Sequence, residues 1–216
     1  MIKNIFFDFD GTLADTSFAI IKTTVASFEY LGLEAPAPEY IKSSIGLSLR
    51  SAAEVYPGLS EDRYDEFESV YHSFFDQYIT DNVVLYPGVS ELLHALKEQG
   101  YRLAIATSRG INSLKYLTQT LGIADCFEAM STIECVASPK PAPDTVLYLF
   151  DKMGVGPQDT LVVGDTSFDI QMGRNAQCRT CGVSYGNHSA DMLVSASADY
   201  VIDDFSKLSE VLESLK

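Results

Sequence analysis

The chain has 216 residues, 46% of them hydrophobic, and a formal net charge of −15. That length suits one large domain or one domain with an insert, and the composition is too apolar for a disordered chain. So acidic a chain carries no electrostatic footprint for nucleic acid or an anionic membrane, and no apolar run approaches the ~18 residues of a membrane span. Four cysteines (Cys126, Cys135, Cys178, Cys181) are too few for a disulfide framework. Met1-Ile2-Lys3-Asn4 lacks the basic and apolar regions of a signal peptide, so the expectation is a cytoplasmic protein with free thiols.

The first element is an apolar run, Ile5-Phe6-Phe7, that ends at Asp8 and is followed by Asp10-Gly11-Thr12. The run reads as a buried strand and the polar stretch as a sharp turn. Two carboxylates on one bend repel each other and resist desolvation unless a cation joins them. From Asp15 to Thr80 the pattern is helical. Phe18, Ile21, Val25, Phe28 and Leu31 recur at spacings of three and four, with Gly32 as the stop. A proline-rich connector leads to a short helix through Tyr40 and Ile41. Ser60, with Glu61 and Asp62, starts a helix carrying Tyr64, Phe67, Val70, Tyr71, Phe74, Phe75 and Tyr78. Its aromatic stripe reads as core packed on the Phe18–Leu31 helix.

After Tyr86-Pro87-Gly88 strands and helices alternate. Helices are predicted over 89–99, 111–121, 144–153, 168–175 and 208–215. Strands are predicted over 101–106, 127–130, 160–164, 180–184 and 200–202. Such alternation implies a parallel sheet with right-handed crossovers. The expected fold is α/β, a doubly wound parallel sheet from residues 1–14 and 82–216, with an all-helical insert at 15–81.

In a parallel sheet the carboxyl ends of the strands share one edge, where ligands bind. That edge collects Asp8, Asp10, Thr107, Ser108, Asp165 and Asp169, with Lys140 from a loop holding Pro139, Pro141 and Pro143. Carboxylates, one lysine and hydroxyls around a common point suit Mg²⁺ and a phosphate, since Mg²⁺ takes a few hard oxygens and keeps several waters. Thr107 has a second reading as no more than a helix N-cap and Asp169 as a plain surface residue, while Arg109 reads either as touching substrate or as solvated. Cys178-x-x-Cys181 lacks a second pair or a histidine set for zinc and reads as packing. The scattered His72, His94 and His188 offer no base for a serine or cysteine hydrolase.

Asp8-Phe9-Asp10-Gly11-Thr12, Thr107, Lys140-Pro141 and Gly164-Asp165 with Asp169 resemble the four ordered motifs of the haloacid dehalogenase superfamily of phosphatases. The likeness runs the length of the chain and is strongest to the phosphoglycolate phosphatase-like branch, whose helical cap is inserted just after the first motif. Gln177 stands where that branch often has glycine. The resemblance implies Asp8 as nucleophile and Asp10 as general acid and base. It implies Mg²⁺ on Asp8, the Asp10 carbonyl and Asp165. Thr107 and the Ser108 N–H would hold phosphate, Lys140 would neutralise it, and Asp169 would orient Lys140 or metal waters. The expected substrate is a small phosphorylated metabolite, handled by a monomer or homodimer. A phosphomutase or pyrophosphatase on the same scaffold, and a phospho-signalling receiver, are the alternatives. Receivers need neither Asp10 nor a large insert. Substrate choice is assigned to Ser44–Arg50, where Arg50 reads either as an anion receptor or as a solvated side chain.

Overall fold

Strand β1 (Asn4–Phe7) is buried at all four residues, and the rest of the sheet is laid out from it. The computed structural model describes residues 1–79 and 83–216. β1 pairs in parallel with β4 (Arg102–Ala106) on one side and β6 (Thr160–Gly164) on the other. Strands β5 (Ala129–Ser131), β7 (Arg179–Val183) and β8 (Tyr200–Ile202) complete the order β5-β4-β1-β6-β7-β8, every pairing parallel. The chain builds outward from β1 in one direction and then in the other, so strand order reverses beside β1. That switch point is where an open α/β sheet forms its ligand crevice.

Alternation along β1 divides the core into two layers. Ile5 and Phe7 join Leu103, Ile105, Leu161 and Val163 on one face, covered by α5 (Val89–Glu98), α6 (Ile111–Thr120) and α10 (Leu208–Ser214). Phe6 joins Ala104 and Val162 on the other face, under α7 (Asp144–Met153) and α8 (Ser167–Asn175). Each fully buried phenylalanine contributes about 1.5–3 kcal/mol. Just after α8, Gln177 has φ +62°, the left-handed region that glycine adopts most easily, which is a backbone reason for glycine at this position.

The predicted helical block lies between β2 (Ala14–Asp15) and β3 (Val84–Leu85), two strands that pair with each other antiparallel and are too short to show any periodicity in the sequence. It comprises α1 (Ser17–Tyr30), α2 (Pro38–Ser44), α3 (Leu49–Val55) and α4 (Tyr64–Ile79). Rings of Phe28, Tyr56 and Phe67 meet edge to face at 5.5–6.0 Å in its centre. Three expectations shift. The buried face of α1 runs through Ala19, Thr23, Thr24, Ser27 and Phe28, while Phe18 is 50% exposed under the Lys22 ammonium. Helix α1 packs on α4, and Thr23 and Ser27 return their hydroxyls to the backbone of Ala19 and Thr23. Ser60 makes no side-chain cap; a single 3₁₀ turn, Glu61–Arg63, precedes α4. Helix α9 (Ala190–Ser195) is not marked in the sequence pattern, being short; like α3 it is capped by a serine, Ser189 as Ser48 caps α3. The predicted return of the chain near Asn82 lies outside the described residues. Among the described residues no helix is long and apolar enough to cross a membrane.

Candidate active site

The register of the sheet brings the polar strand ends together. Phe7 is level with Ile105 on β4 and with Val163 on β6, so Asp8, Thr107 and Asp165 emerge side by side. The Asp8 N–H donates to the Val163 carbonyl at 2.8 Å, extending the ladder one residue beyond the strand. Asp8, Asp165, Asp169, Lys140 and Thr107 are all buried.

Lys140, fully enclosed, donates from Nζ to Asp8 Oδ1 at 2.5 Å and to Asp169 Oδ1 at 2.7 Å. Burial opposes its charge, but Asp169 and Asp8 outweigh burial and raise its pKa. Asp169 is locked in place because it forms the capping box of α8. Its Oδ2 accepts from the Thr166 N–H at 3.0 Å and the Thr166 hydroxyl at 2.6 Å, leaving Oδ1 for Lys140. Asp169 is thus neither exposed nor peripheral.

Asp165 accepts from Thr12 Oγ1 at 3.0 Å and from the Asn187 N–H and Nδ2 at 2.7 and 2.8 Å. Gly11 permits this approach: at φ +90°, a Cβ there would lie 2.2 Å from Asp165 Oδ2 and from Asn187 Nδ2. Carboxylate oxygens of Asp8, Asp165 and Asp169 fall within 4.8 Å of one another. Asp8 Oδ2 is buried without a hydrogen-bond partner among the described residues. Burial raises the Asp8 carboxyl to about 7 despite Lys140, and burial with the neighbouring Asp169 and Asp8 raises Asp165 well above the usual carboxylate range. An orphaned buried oxygen in a cluster of hard carboxylates fits a divalent cation.

Asp10 is held differently. Its Oδ1 accepts from Thr16 Oγ1 at 2.7 Å and from an Arg109 Nη, and its Oδ2 accepts from Arg109 Nε at 3.0 Å. The remaining Arg109 Nη donates to Ser113 Oγ at 2.6 Å, and the guanidinium lies 5.8 and 5.0 Å from the Phe9 and Phe75 ring centres. Arg109 is therefore buried and engaged rather than solvated. Thr107 does not cap α6, whose N-cap is Gly110; its Oγ1 accepts from the Arg109 N–H at 3.2 Å. Glu134 instead receives the Ile111 N–H of α6 at 3.1 and 3.2 Å. Ser108 gives its hydroxyl to Gly46 of the helical block at 2.8 Å.

Arg50 lies apart from this assembly. It sits on the first turn of α3, 47% exposed, with Nη1 2.7 Å from Asp65 and 3.5 Å from Glu68, and its guanidinium over the Tyr64 ring. The chamber above Asp8 and Asp10 is a cavity of about 650 Å³ whose walls come from both the sheet edge and the helical block, and Arg50 does not line it. The sequence pattern places Thr12 in the turn without showing its bond to Asp165, and gives no role to Asn187 or Thr16. Asn187 stands just beyond β7, so the strand-end rule that found Asp165 applies to it equally. Cys178 and Cys181 are buried and unpaired, burial pushing each thiol up to about 12.

Residues 5–183 match the model of the haloacid dehalogenase-like hydrolases. The probable phosphatase IndB of Dickeya dadantii is 32% identical over 208 residues, covering 94% of this chain and 90% of its own. A phosphoglycolate phosphatase of Vibrio vulnificus is 28% identical over 219 residues, covering 98% and 96%. A crystal structure assigned to the haloacid dehalogenase-like hydrolases, from Bacteroides fragilis, superposes with a TM-score of 0.92 at 26% identity, over 96% of this chain and all of that one. The matched span takes in β1 through β7, and with them Asp8, Asp10, Thr107, Lys140 and Asp165. The chain belongs to the haloacid dehalogenase-like hydrolase family.

Proposed function

We propose that this protein is a Mg²⁺-dependent phosphatase that hydrolyses a small phosphomonoester through an aspartyl-phosphate on Asp8. The observation that carries the reading is the buried Asp8–Lys140–Asp169 chain beside Asp165, with Asp8 Oδ2 lacking a partner. Asp8 attacks phosphorus as a carboxylate, forming an O–P bond as the bond to the leaving oxygen breaks. Asp10 gives that oxygen its proton, then takes one from the water that attacks the phosphorylated Asp8 and releases phosphate. Lys140 keeps Asp8 aligned and offsets the charge that gathers on the phosphoryl oxygens. The Thr107 hydroxyl and the Ser108 N–H hold those oxygens. Asp8, Asp165 and the Asp10 carbonyl would hold Mg²⁺, which supplies electrostatic stabilisation of the transferring phosphoryl group.

Residues 15–81 act as a cap over a core of 1–14 and 82–216, excluding water during transfer. Unpaired thiols and the lack of any membrane-crossing helix among the described residues fit a cytoplasmic enzyme. Asp10 and the cap argue against a receiver. The test is phosphate release from a panel of phosphomonoesters with Mg²⁺ and with chelator, for the parent chain and Asp8→Asn. Turnover that needs Mg²⁺ and falls by about 10³-fold or more in the variant is expected; substantial activity in Asp8→Asn overturns the mechanism.

A further inference from the structure

Recognition of the rest of the substrate is left to the 650 Å³ chamber, a size that encloses a compact organic ligand. A substrate bearing a second anion, such as a carboxylate or another phosphate, needs a cationic receptor there. Four places offer one, and each faces a carboxylate of the protein; the first is His72, which lines the chamber beside Glu134. Arg109 is the sole arginine or lysine among the described lining residues, and its guanidinium nitrogens are spent on Asp10 and Ser113. The N-terminus of α6 opens at the chamber through Gly110 and Asn112, but both oxygens of Glu134 accept from its Ile111 N–H. Arg50 faces Asp65 and Glu68 outside the lining.

The wall that remains is apolar and aromatic. Ile20, Leu47, Leu49, Tyr71, Phe75 and Tyr116 line it, with neutral hydroxyls and amides between them. The acidic side chains at this surface, Asp8, Asp10 and Glu134, repel a further negative group. Resting on the phosphatase reading above, we propose that the leaving group is a neutral, largely apolar alcohol, so that the substrate is an aryl or alkyl phosphomonoester. Its ring or chain covers the Tyr71–Phe75 wall while the phosphoryl group meets Asp8. Phosphoglycolate-like esters and pyrophosphate are rejected because their second anion would be buried without a partner.

The test compares matched ligands that differ by one charge. Benzylphosphonate and 4-carboxybenzylphosphonate are titrated calorimetrically into the full chain with Mg²⁺, and hydrolysis of benzyl phosphate, 4-carboxybenzyl phosphate and pyrophosphate is followed in parallel. The neutral phosphonate should bind about tenfold tighter or better than its carboxylated twin. Tyr116→Lys places a cation at a half-exposed position of the wall and should narrow that ratio. Equal or tighter binding of the carboxylated twin, binding of neither, or preferential hydrolysis of pyrophosphate overturns the inference. Selective binding of benzylphosphonate with no ester turned over supports the ligand class while refuting the phosphatase reading.

Discussion

Lys140→Met removes the one ammonium that Asp8 and Asp169 share, in a place where none of the three groups is more than 2% exposed. Truncating one partner of a buried ion pair costs about 3–5 kcal/mol, because the other charge stays behind without compensation. Here two carboxylates lose the same partner. Asp169 keeps its two bonds from Thr166, whereas among the described residues Asp8 Oδ1 has only Lys140 and Oδ2 has nothing. Uptake of a proton by Asp8 limits the loss, since its carboxyl is already raised to about 7. A destabilisation of about 3–5 kcal/mol in chelator follows, which for a chain of this size lowers Tm by about 6–20 °C. Urea unfolding followed by circular dichroism, with the slope unchanged and the midpoint shifted, measures it. Added Mg²⁺ should stabilise the variant more than the parent, because it meets a more negative cluster. A loss below about 1 kcal/mol in chelator would refute the idea that Lys140 holds the cluster together.

Asp10→Asn should slow hydrolysis of alkyl phosphates far more than of nitrophenyl phosphate, whose leaving group needs little protonation; equal losses in presteady-state phosphorylation rates would remove Asp10 from the acid role. Gly11→Ala forces a Cβ to 2.2 Å from Asp165 and Asn187 in a left-handed backbone, so it should cost more than about 2 kcal/mol and abolish turnover. A stable, active Gly11→Ala would show that this turn is not pressed against Asp165. His188 accepts the Ser167 N–H at Nδ1 and turns Nε2 to the Ser43 carbonyl of the helical block at 3.1 Å. His188→Ala should loosen that block, raising hydrogen exchange around Ser43–Leu47 and KM with little change in kcat, and unchanged exchange there would dismiss the tie.

Asp8 and Asp165 were legible because each closes an apolar run, and a carboxylate at the end of a buried strand has one sheet edge to go to. Lys140 was legible from its prolines and its order among the motifs. What stayed hidden is long-range pairing. Arg109 and Asp10 are 99 residues apart and meet only once β1 and β4 are in register. Arg50 looked like a free cation because Asp65 and Glu68 lie 15 and 18 residues on, a distance closed by the packing of α3 on α4. The face of α1 was misjudged for a related reason. Periodicity shows an apolar stripe but cannot show that the side of Ala19, Thr23 and Ser27 is buried when the block packs together. Asn187 needs no long-range knowledge; it follows the strand 180–184 and so reaches the same sheet edge as Asp165.

The charges gathered at the strand ends set an order of binding. Asp8, Asp10, Asp165 and Asp169 stand against Lys140 and Arg109, two negative charges in excess, inside a chain that is itself strongly acidic. Burial first, and the neighbouring carboxylates after it, raise the carboxyls of Asp8 and Asp165. A phosphate dianion entering that field is repelled, at about 4 kcal/mol for each unit-charge pair 4 Å apart at an effective dielectric of 20. One divalent cation cancels the excess. Metal should therefore bind first, and affinity for inorganic phosphate should fall by about 100-fold or more when it is removed. Calorimetric titration of phosphate into the protein with Mg²⁺, and again in chelator, reads this directly without turnover. Asp165→Asn, with one carboxylate fewer, should weaken Mg²⁺ binding yet lose less phosphate affinity in chelator than the parent does. Equal phosphate affinity with and without the metal would mean that Lys140, Thr107 and the Ser108 N–H hold the anion unaided, and the binding order would then carry no electrostatic cause.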